Sequence, residues 1–242
     1  MDKIRLLVPP SDTAQNSERW YEFAIYLSRA TGLALSPVIS GTAEDYQQEF
    51  SQAEIIYCTP ELIPTLIREF RFIPLMQPAG IYEEVAIVSG PAATLHRLSG
   101  IQDSPLGGIK GTFANRLGLT TLTQKQIRPA AMAYRDNWLQ LLKAVQQGDL
   151  PYALLSKQFM EQLSPLSLSS VNLLARSNLH KAYPLLLAAP QLKPHISIMR
   201  QQLQAMSDDP KGAQVLEILK IQGWKKPTEQ SIIDMVKILR GK

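Results

Sequence analysis

The sequence predicts an α/β protein built as two lobes, each a mixed sheet flanked by helices, with a hinged cleft between them. Three observations predict it. Short β-rich runs alternate with amphipathic helical runs from residue 1 to 76, and this β-α-β-α-β-α-β rhythm implies a mostly parallel sheet with helices on both faces. The rhythm then breaks at Val85-Ala86-Ile87-Val88, a strand bounded by Gly80 and Gly90-Pro91, which reads as a crossing into a second lobe. Two later runs, Val171 to Ala175 and Tyr183 to Ala189, read as strands leading back. The lobes are therefore expected at 1–84 plus 185–242, and at 85–184.

Each element has its own signal. Ile4 to Val8 is a strand broken by Pro9-Pro10-Ser11. Ser17 to Ala30 carries Trp20, Phe23, Ala24 and Leu27 at helical spacing, with Ser17 as the expected N-cap and Gly32 just past the end. Leu33 to Ile39 is a strand and Ala43 to Phe50 a short helix. Glu54 to Cys58 is a third strand. Thr59 then caps, and Pro60 opens, a helix running to about Phe70. Phe72 to Met76 closes the first series. In the second lobe, Gly107 to Ala114 suggests a strand entering a loop, Leu119 to Gln126 a helix, and Ala130 to Tyr134 a strand. Asp136 to Gln147 is a helix capped by Asp136 and stopped by Gly148. Tyr152 to Leu155 is the next strand. From Pro194 onward the chain reads as helices, broken at Asp208-Asp209-Pro210 and Gly223.

Composition narrows the function. Of 242 residues, 45% are hydrophobic and 19% charged, so the chain folds around a sizeable core without a staple. The single Cys58 excludes a disulfide framework and a cysteine-only zinc site. The net charge of +4 is spread along the chain apart from small groups such as Lys225-Lys226, and no basic stripe marks a nucleic-acid binder. No apolar run reaches the ~18–20 residues of a membrane span. No signal peptide is visible, which leaves two expectations. The protein is periplasmic or cell-envelope if a leader has been removed, and cytoplasmic if the amino terminus is native.

In open α/β sheets, ligands bind beyond the carboxyl ends of the strands. The turns after the strands therefore nominate Ser11, Tyr57, Thr59, Asn115, Arg116, Arg135, Asn137 and Trp138. Arg116 and Arg135 are placed to meet an anion. Cys58 follows a strand and precedes a helix start, which would lower a thiol pKa, yet no histidine accompanies it in sequence. His96, His180 and His195 show no metal-binding spacing. Gly107-Gly108-Ile109-Lys110-Gly111-Thr112 lacks the ending of a phosphate-binding loop. Glu83 and Glu84 face opposite ways on an extended segment and make no joint acid–base site.

Several short motifs, in order, resemble a family. Trp20, Tyr26-Leu27-Ser28 and Thr31-Gly32 resemble the opening signature of bacterial solute-binding proteins for phosphate, phosphite and phosphonate, the PhnD-like group with the type II periplasmic-binding fold. Glu54-Ile55-Ile56-Tyr57 is similar to their third-strand motif, and Tyr82 to the aromatic that opens the crossing. Ala144-Val145-Gln146-Gln147-Gly148-Asp149 resembles a motif of the second lobe, and Ser177 with Pro184 a Ser-Pro-rich segment near the return. The resemblance spans nearly the whole chain.

It implies ligand contacts from Tyr46 and Tyr82. It also exposes departures. The family's Ser-Thr-Ser at a helix start is matched to Leu117-Gly118-Leu119, with Thr120-Thr121 just beyond. The family's histidine is matched to Trp138, one acidic residue to Pro151, and a later aspartate to a position near Tyr183. Losing several charge-assisted donors, each contributing roughly 1.5–3 kcal/mol, argues for a changed ligand. The aromatic set Tyr46, Tyr57, Tyr82, Trp138 and Tyr183 suits an aromatic or amphipathic small anion. The expectation is a solute-binding protein, not an enzyme, that captures a small anion in the interlobe cleft for an ABC permease or a signalling protein, with no cofactor. The alternatives are a cytoplasmic enzyme on the same fold, as in menaquinone or tetrapyrrole pathways, and a degenerate interaction module.

Overall fold

A computed structural model describes residues 3–10 and 17–240. The chain divides into two compact units. The first comprises Met1–Tyr82 with Tyr183–Ile233, and the second Glu83–Ala182 with Asp234–Lys242. The chain thus passes between units three times, and residues 234–242 group with the second unit, where the sequence reading leaves them in the first. Within that second unit the Arg116 guanidinium donates to the Leu239 carbonyl.

The first pass runs β1 (Ile4–Val8), α1 (Glu18–Thr31), β2 (Leu35–Ile39), α2 (Ala43–Gln48), β3 (Ile55–Cys58), α3 (Ile63–Arg68) and β4 (Ile73–Pro78). The second unit follows with β5 (Val85–Ser89), β6 (Pro105–Gly108), α4 (Phe113–Gln124), β7 (Ala131–Tyr134), α5 (Trp138–Gln146), β8 (Tyr152–Ser156), α6 (Lys157–Glu161), α7 (Pro165–Leu168) and β9 (Asn172–Arg176). The return supplies β10 (Leu185–Ala188), α8 (Ile196–Gln204), α9 (Pro210–Leu219), β11 (Trp224–Lys225) and α10 (Glu229–Leu239).

The first sheet has the order β11-β4-β10-β3-β1-β2. β1 pairs parallel with β2 and β3, while β10 runs antiparallel between β3 and β4. β4 therefore points the same way as β1 to β3. Alternation puts Leu6, Val8, Ile55, Tyr57, Leu186 and Ala188 into one core with Trp20, Phe23 and Leu27 of α1, Met199 of α8 and Leu216 of α9. The residues between them, Leu7, Ile56, Cys58, Leu185 and Leu187, face the other way and are also fully buried. Burial on both faces is why these strands read as unbroken apolar runs.

The second sheet has the order β7-β6-β8-β5-β9. β6 pairs parallel with β7 and β8, and β5 pairs antiparallel with β8 and β9. Val88, Ala153 and Leu155 pack on Leu141, Leu142 and Val145 of α5. α4 lies against β5 and β8. There Gly118 is a close approach: a Cβ would come within 2.6 Å of Leu154.

Four expected helix starts or caps differ. α4 begins at Phe113, six residues before the expected Leu119, behind a Thr112 cap whose hydroxyl accepts from Asn115 N. Residues 117–119 therefore lie in its second turn and not at its start. α5 is capped by Asn137, whose side chain accepts from Gln140 N at 2.9 Å, and not by Asp136. Ser17 has helical backbone angles and makes no side-chain cap bond. Thr59 makes none either, although Pro60 does open a helical turn, a 3-10 turn over Pro60–Leu62 that precedes α3.

Candidate functional site

Each sheet has one edge where its parallel strands end, and the nominated residues fall there or in the crossings. In the first unit, β3 ends in Tyr57-Cys58 and is followed by Thr59, half-buried and extended at φ −74° and ψ 155°. Tyr57 is buried, its ring 4.7 Å from that of Trp20 and 6.4 Å from that of Trp224. Its carbonyl accepts the Tyr46 hydroxyl at 2.7 Å. Tyr46 is itself buried, edge-on to Phe50 at 5.1 Å. Tyr183 is buried too, and its hydroxyl bonds to Ser231 Oγ at 2.6 Å. Tyr82 is half-buried and meets Tyr183 edge-on at 6.5 Å. The Lys225 ammonium donates to the Tyr82 hydroxyl at 3.2 Å and lies 5.7 Å from the ring centroid. Tyr82, Tyr183 and Lys225 thus form one cluster. Ser11 lies outside the described residues.

In the second unit, β6 ends at Gly108 and the chain turns through Ile109-Lys110-Gly111 into α4. Gly111 has φ +82°, a left-handed turn that a side chain would strain. Thr112 Oγ1 donates to the Ile109 carbonyl at 2.9 Å while capping Asn115. Asn115, in the first turn of α4, is 5% exposed, and its Oδ1 has no hydrogen-bond partner among the described residues. That oxygen sits against Gly108, where a Cβ would overlap it. A helix start carries unpaired N–H groups and the positive end of the dipole. A buried, unpartnered amide at that start is the distinctive polar feature of this unit.

The other nominees of the second unit lie at or near the same sheet edge. Arg135 N donates to the Gly108 carbonyl at 3.0 Å, and its Nη1 to the Tyr134 carbonyl at 3.0 Å. Arg116 is exposed on α4, with one nitrogen on Leu239 O. Asn137 is occupied as a cap. Trp138 is half-buried and stacks on Phe159 at 6.3 Å, against the core behind α5.

Two groups outside the nominated set have defined chemistry. Burial pushes the Cys58 thiol well up from its ordinary pKa, against the lowering expected from its position, because full burial outweighs the hydrogen bond with the Leu185 main chain. Glu84 is 1% exposed, and its carboxylate accepts from the Ser177 hydroxyl and from His180 N at 2.7 Å. Among the described residues, no group of three or more His, Cys, Asp and Glu is placed to hold a metal, and no helix is long and apolar enough to cross a membrane.

The sequence reading missed Lys225 and Thr112 as site residues. Lys225 follows a buried Trp in a two-residue strand, too short a pattern to read. Thr112 behind Gly111 is a legible cap, passed over because Gly107 to Ala114 reads as a strand entering a loop.

Two mixed sheets flanked by helices, joined by repeated chain crossings, define the class: a two-lobed periplasmic binding protein of type II. Residues 6–232 match the family described as ABC transporter, phosphonate, periplasmic substrate-binding protein, and the chain belongs to that family. Its fold is shared by PhnD1 from Prochlorococcus marinus, solved with methylphosphonate, at TM-score 0.79 and 13% identity over 98% of this chain and 97% of that one. It is also shared by XAC2383 from Xanthomonas citri, solved with chloride, at 0.77 and 14% over 98% and 96%. The periplasmic aliphatic sulphonate binding protein SsuA from Escherichia coli matches at 0.67 and 13% over 99% and 79%. No curated protein matches the chain significantly in sequence.

Proposed function

We propose that this chain is a non-catalytic solute-binding protein that captures a small oxyanion in the periplasm and delivers it to an ABC permease. Each unit offers candidate contacts of its own: Thr59 and Tyr82 in the first, and Asn115 and Arg135 in the second. The observation that carries this reading is Asn115. An unpartnered buried amide oxygen costs about 1–3 kcal/mol, and it stands at a helix start that favours negative charge. A singly protonated phosphonate suits both features, since its hydroxyl can donate to Oδ1 while its oxyanions face the helix N–H groups. A half-turn of the amide would offer Nδ2 to an anion with no proton, such as a sulfonate. Methylphosphonate in PhnD1 and the aliphatic sulphonate named for SsuA are both tetrahedral oxyanions, which supports the same class here.

The test is calorimetric titration with methylphosphonate, phosphate, phosphite, methanesulfonate and benzoate. Binding of a tetrahedral oxyanion, weakened at least tenfold by Asn115→Ala, is the expected result. Binding of benzoate alone would move the ligand to aromatic carboxylates. Binding of none would refute the reading.

A further inference from the structure

The site as proposed has helix amides, neutral side chains and Arg135, whose guanidinium gives one of its donors to the Tyr134 carbonyl. What balances the ligand's charge is a separate question. The two nominated arginines each hold a main-chain carbonyl, Arg116 that of Leu239 and Arg135 that of Tyr134. Lys225 differs from both. Its ammonium lies on the Tyr82 hydroxyl and over the Tyr82 ring, and it makes no ion pair with a carboxylate among the described residues. An exposed lysine ordinarily extends into water, because holding its long stem in one place costs conformational entropy. Here the aromatic face and the phenol offset that cost.

Its position follows from strand register. Trp224 pairs with Pro78 and Lys225 with Gln77, the last two residues of β4. β4 points the same way as β1 and β3, so Lys225 stands at the carboxyl edge of the first sheet, the edge that also carries Thr59. Trp224 is buried in the core, and this anchors the strand and turns Lys225 to the opposite face. Lys226 diverges from it. Lys226 lines a separate groove of about 860 Å³ with Ile73, Arg200 and Asp208, and Ile73 opens β4 at the opposite end.

We infer that Lys225 supplies the counter-charge for the bound oxyanion, with Tyr82 holding its ammonium in place. This rests on the reading of the chain as an oxyanion-binding protein. An ammonium has donors only, so the Tyr82 oxygen accepts from it, and the remaining ammonium protons are available to ligand oxygens. The ligand class is a compact oxyanion whose charged head meets the Lys225 ammonium beside Tyr82. Lys225 is a binding and specificity residue in this scheme, favouring anions over neutral solutes of the same shape.

The experiment is titration of the full chain with methylphosphonate at two ionic strengths, for the wild type, Lys225→Met, Lys225→Arg and Lys226→Met, with thermal midpoints checking that each variant folds. Loss of one charge-assisted hydrogen bond predicts that Lys225→Met binds about ten- to a hundredfold more weakly. Its affinity should depend less on salt, Lys225→Arg should recover most of the loss, and Lys226→Met should match the wild type. A Lys225→Met affinity within twofold of wild type overturns the inference while leaving the proposed function standing. Equal losses in Lys225→Met and Lys226→Met also overturn it, because they report only net charge. A wild type that binds neither methylphosphonate nor the other oxyanions overturns both.

Discussion

Glu84→Gln is a demanding test of how the crossing segments are held. Glu84 is buried to 1% exposure, makes no ion pair among the described residues, and accepts from the Ser177 hydroxyl and the His180 amide. Ser177 Oγ in turn accepts from Val85 N at 2.9 Å, and Ser177 N donates to Val85 O at 2.9 Å. One carboxylate therefore fastens the segment at 84–85 to the segment at 177–180. His180 has φ +53°, a left-handed conformation that its bond to Glu84 helps hold. Glutamine keeps the shape but has one acceptor oxygen for two donors, and its NH₂ meets the other. The loss is one hydrogen bond to a charged group, about 1.5–3 kcal/mol, and the weakening of a second by about 1 kcal/mol. Against this, removing a buried charge recovers part of its desolvation cost. The losses win because His180 N is fixed by the main chain, while the Ser177 hydroxyl, already accepting from Val85 N, has to turn away as a donor and accept the new NH₂ as well. The net expectation is about 2 kcal/mol of destabilisation. Urea unfolding should show it as a lower midpoint at unchanged slope, and amide exchange should show faster opening at His180 and Val85. A variant as stable as the wild type, with His180 equally protected, would refute the reasoning, since the buried carboxylate would then be a net liability.

Three further outcomes follow from local geometry. Gly108→Ala places a methyl group where Asn115 Oδ1 lies, so it should cost about 1–3 kcal/mol by overpacking. Asn115→Ala in the same chain should restore most of that in a thermal melt, and recovery of less than half would count against the contact. Asn137→Ala should cost about 1 kcal/mol and Asp136→Ala under about 0.5 kcal/mol in chemical unfolding, since only the former caps α5. Equal losses would return the cap to Asp136. The Cys58 thiol, raised by burial, should resist disulfide reagents at pH 8 until the chain unfolds. Its sign in stability is fixed, because the folded form keeps a proton that the unfolded form releases. Stability is thus unaffected below the unfolded thiol's pKa and falls by up to about 1.4 kcal/mol per pH unit above it. Cys58→Ala should flatten that alkaline decline, and an identical decline in both proteins would assign it to other groups.

The strands and their alternation with helices were legible because burial on both faces leaves an apolar run such as Leu185 to Ala188 or Val85 to Val88. The insertion of β10 between β3 and β4 was not, because pairing of residues more than a hundred positions apart leaves no local trace. Adjacent cap formers were ambiguous for the same reason. Asp136 and Asn137 both suit a cap, and the extended backbone of Asn137, at φ −149° and ψ 165°, decides between them. Ser17 fails as a cap because its backbone has already turned helical. Gly118 reads locally as a helix breaker, yet the close approach of Leu154 is what requires it. The family's motifs located the crossing tyrosine, Tyr82. The start of α4 they placed one helical turn too late, and this made the site look poorer in polar groups than Thr112 and Asn115 leave it.

Charge shows why part of the site was hidden. A sequence offers cations by type and position, and Arg116 and Arg135 stood out because each follows a strand closely. The structure sets both beside main-chain carbonyls, and Arg116 also meets the negative end of the α10 dipole at Leu239. Lys225 carried no such signal, since it sits beside Lys226 in what reads as a solvated pair. Its distinction arises from three non-local facts: Trp224 buried in the core, two residues paired to the end of β4, and Tyr82, the last residue before the first crossing, placed beneath its ammonium. A cation's availability to a ligand depends on which acceptors already hold it, and those acceptors are set by tertiary structure. Substituting all three residues in one titration series separates the possibilities. If Lys225 dominates, the affinity lost should exceed that of Arg116→Met and Arg135→Met by at least about fivefold, a gap of roughly 1 kcal/mol. If either arginine dominates, the carbonyl contacts seen here do not restrain it, and the counter-charge belongs to the second unit.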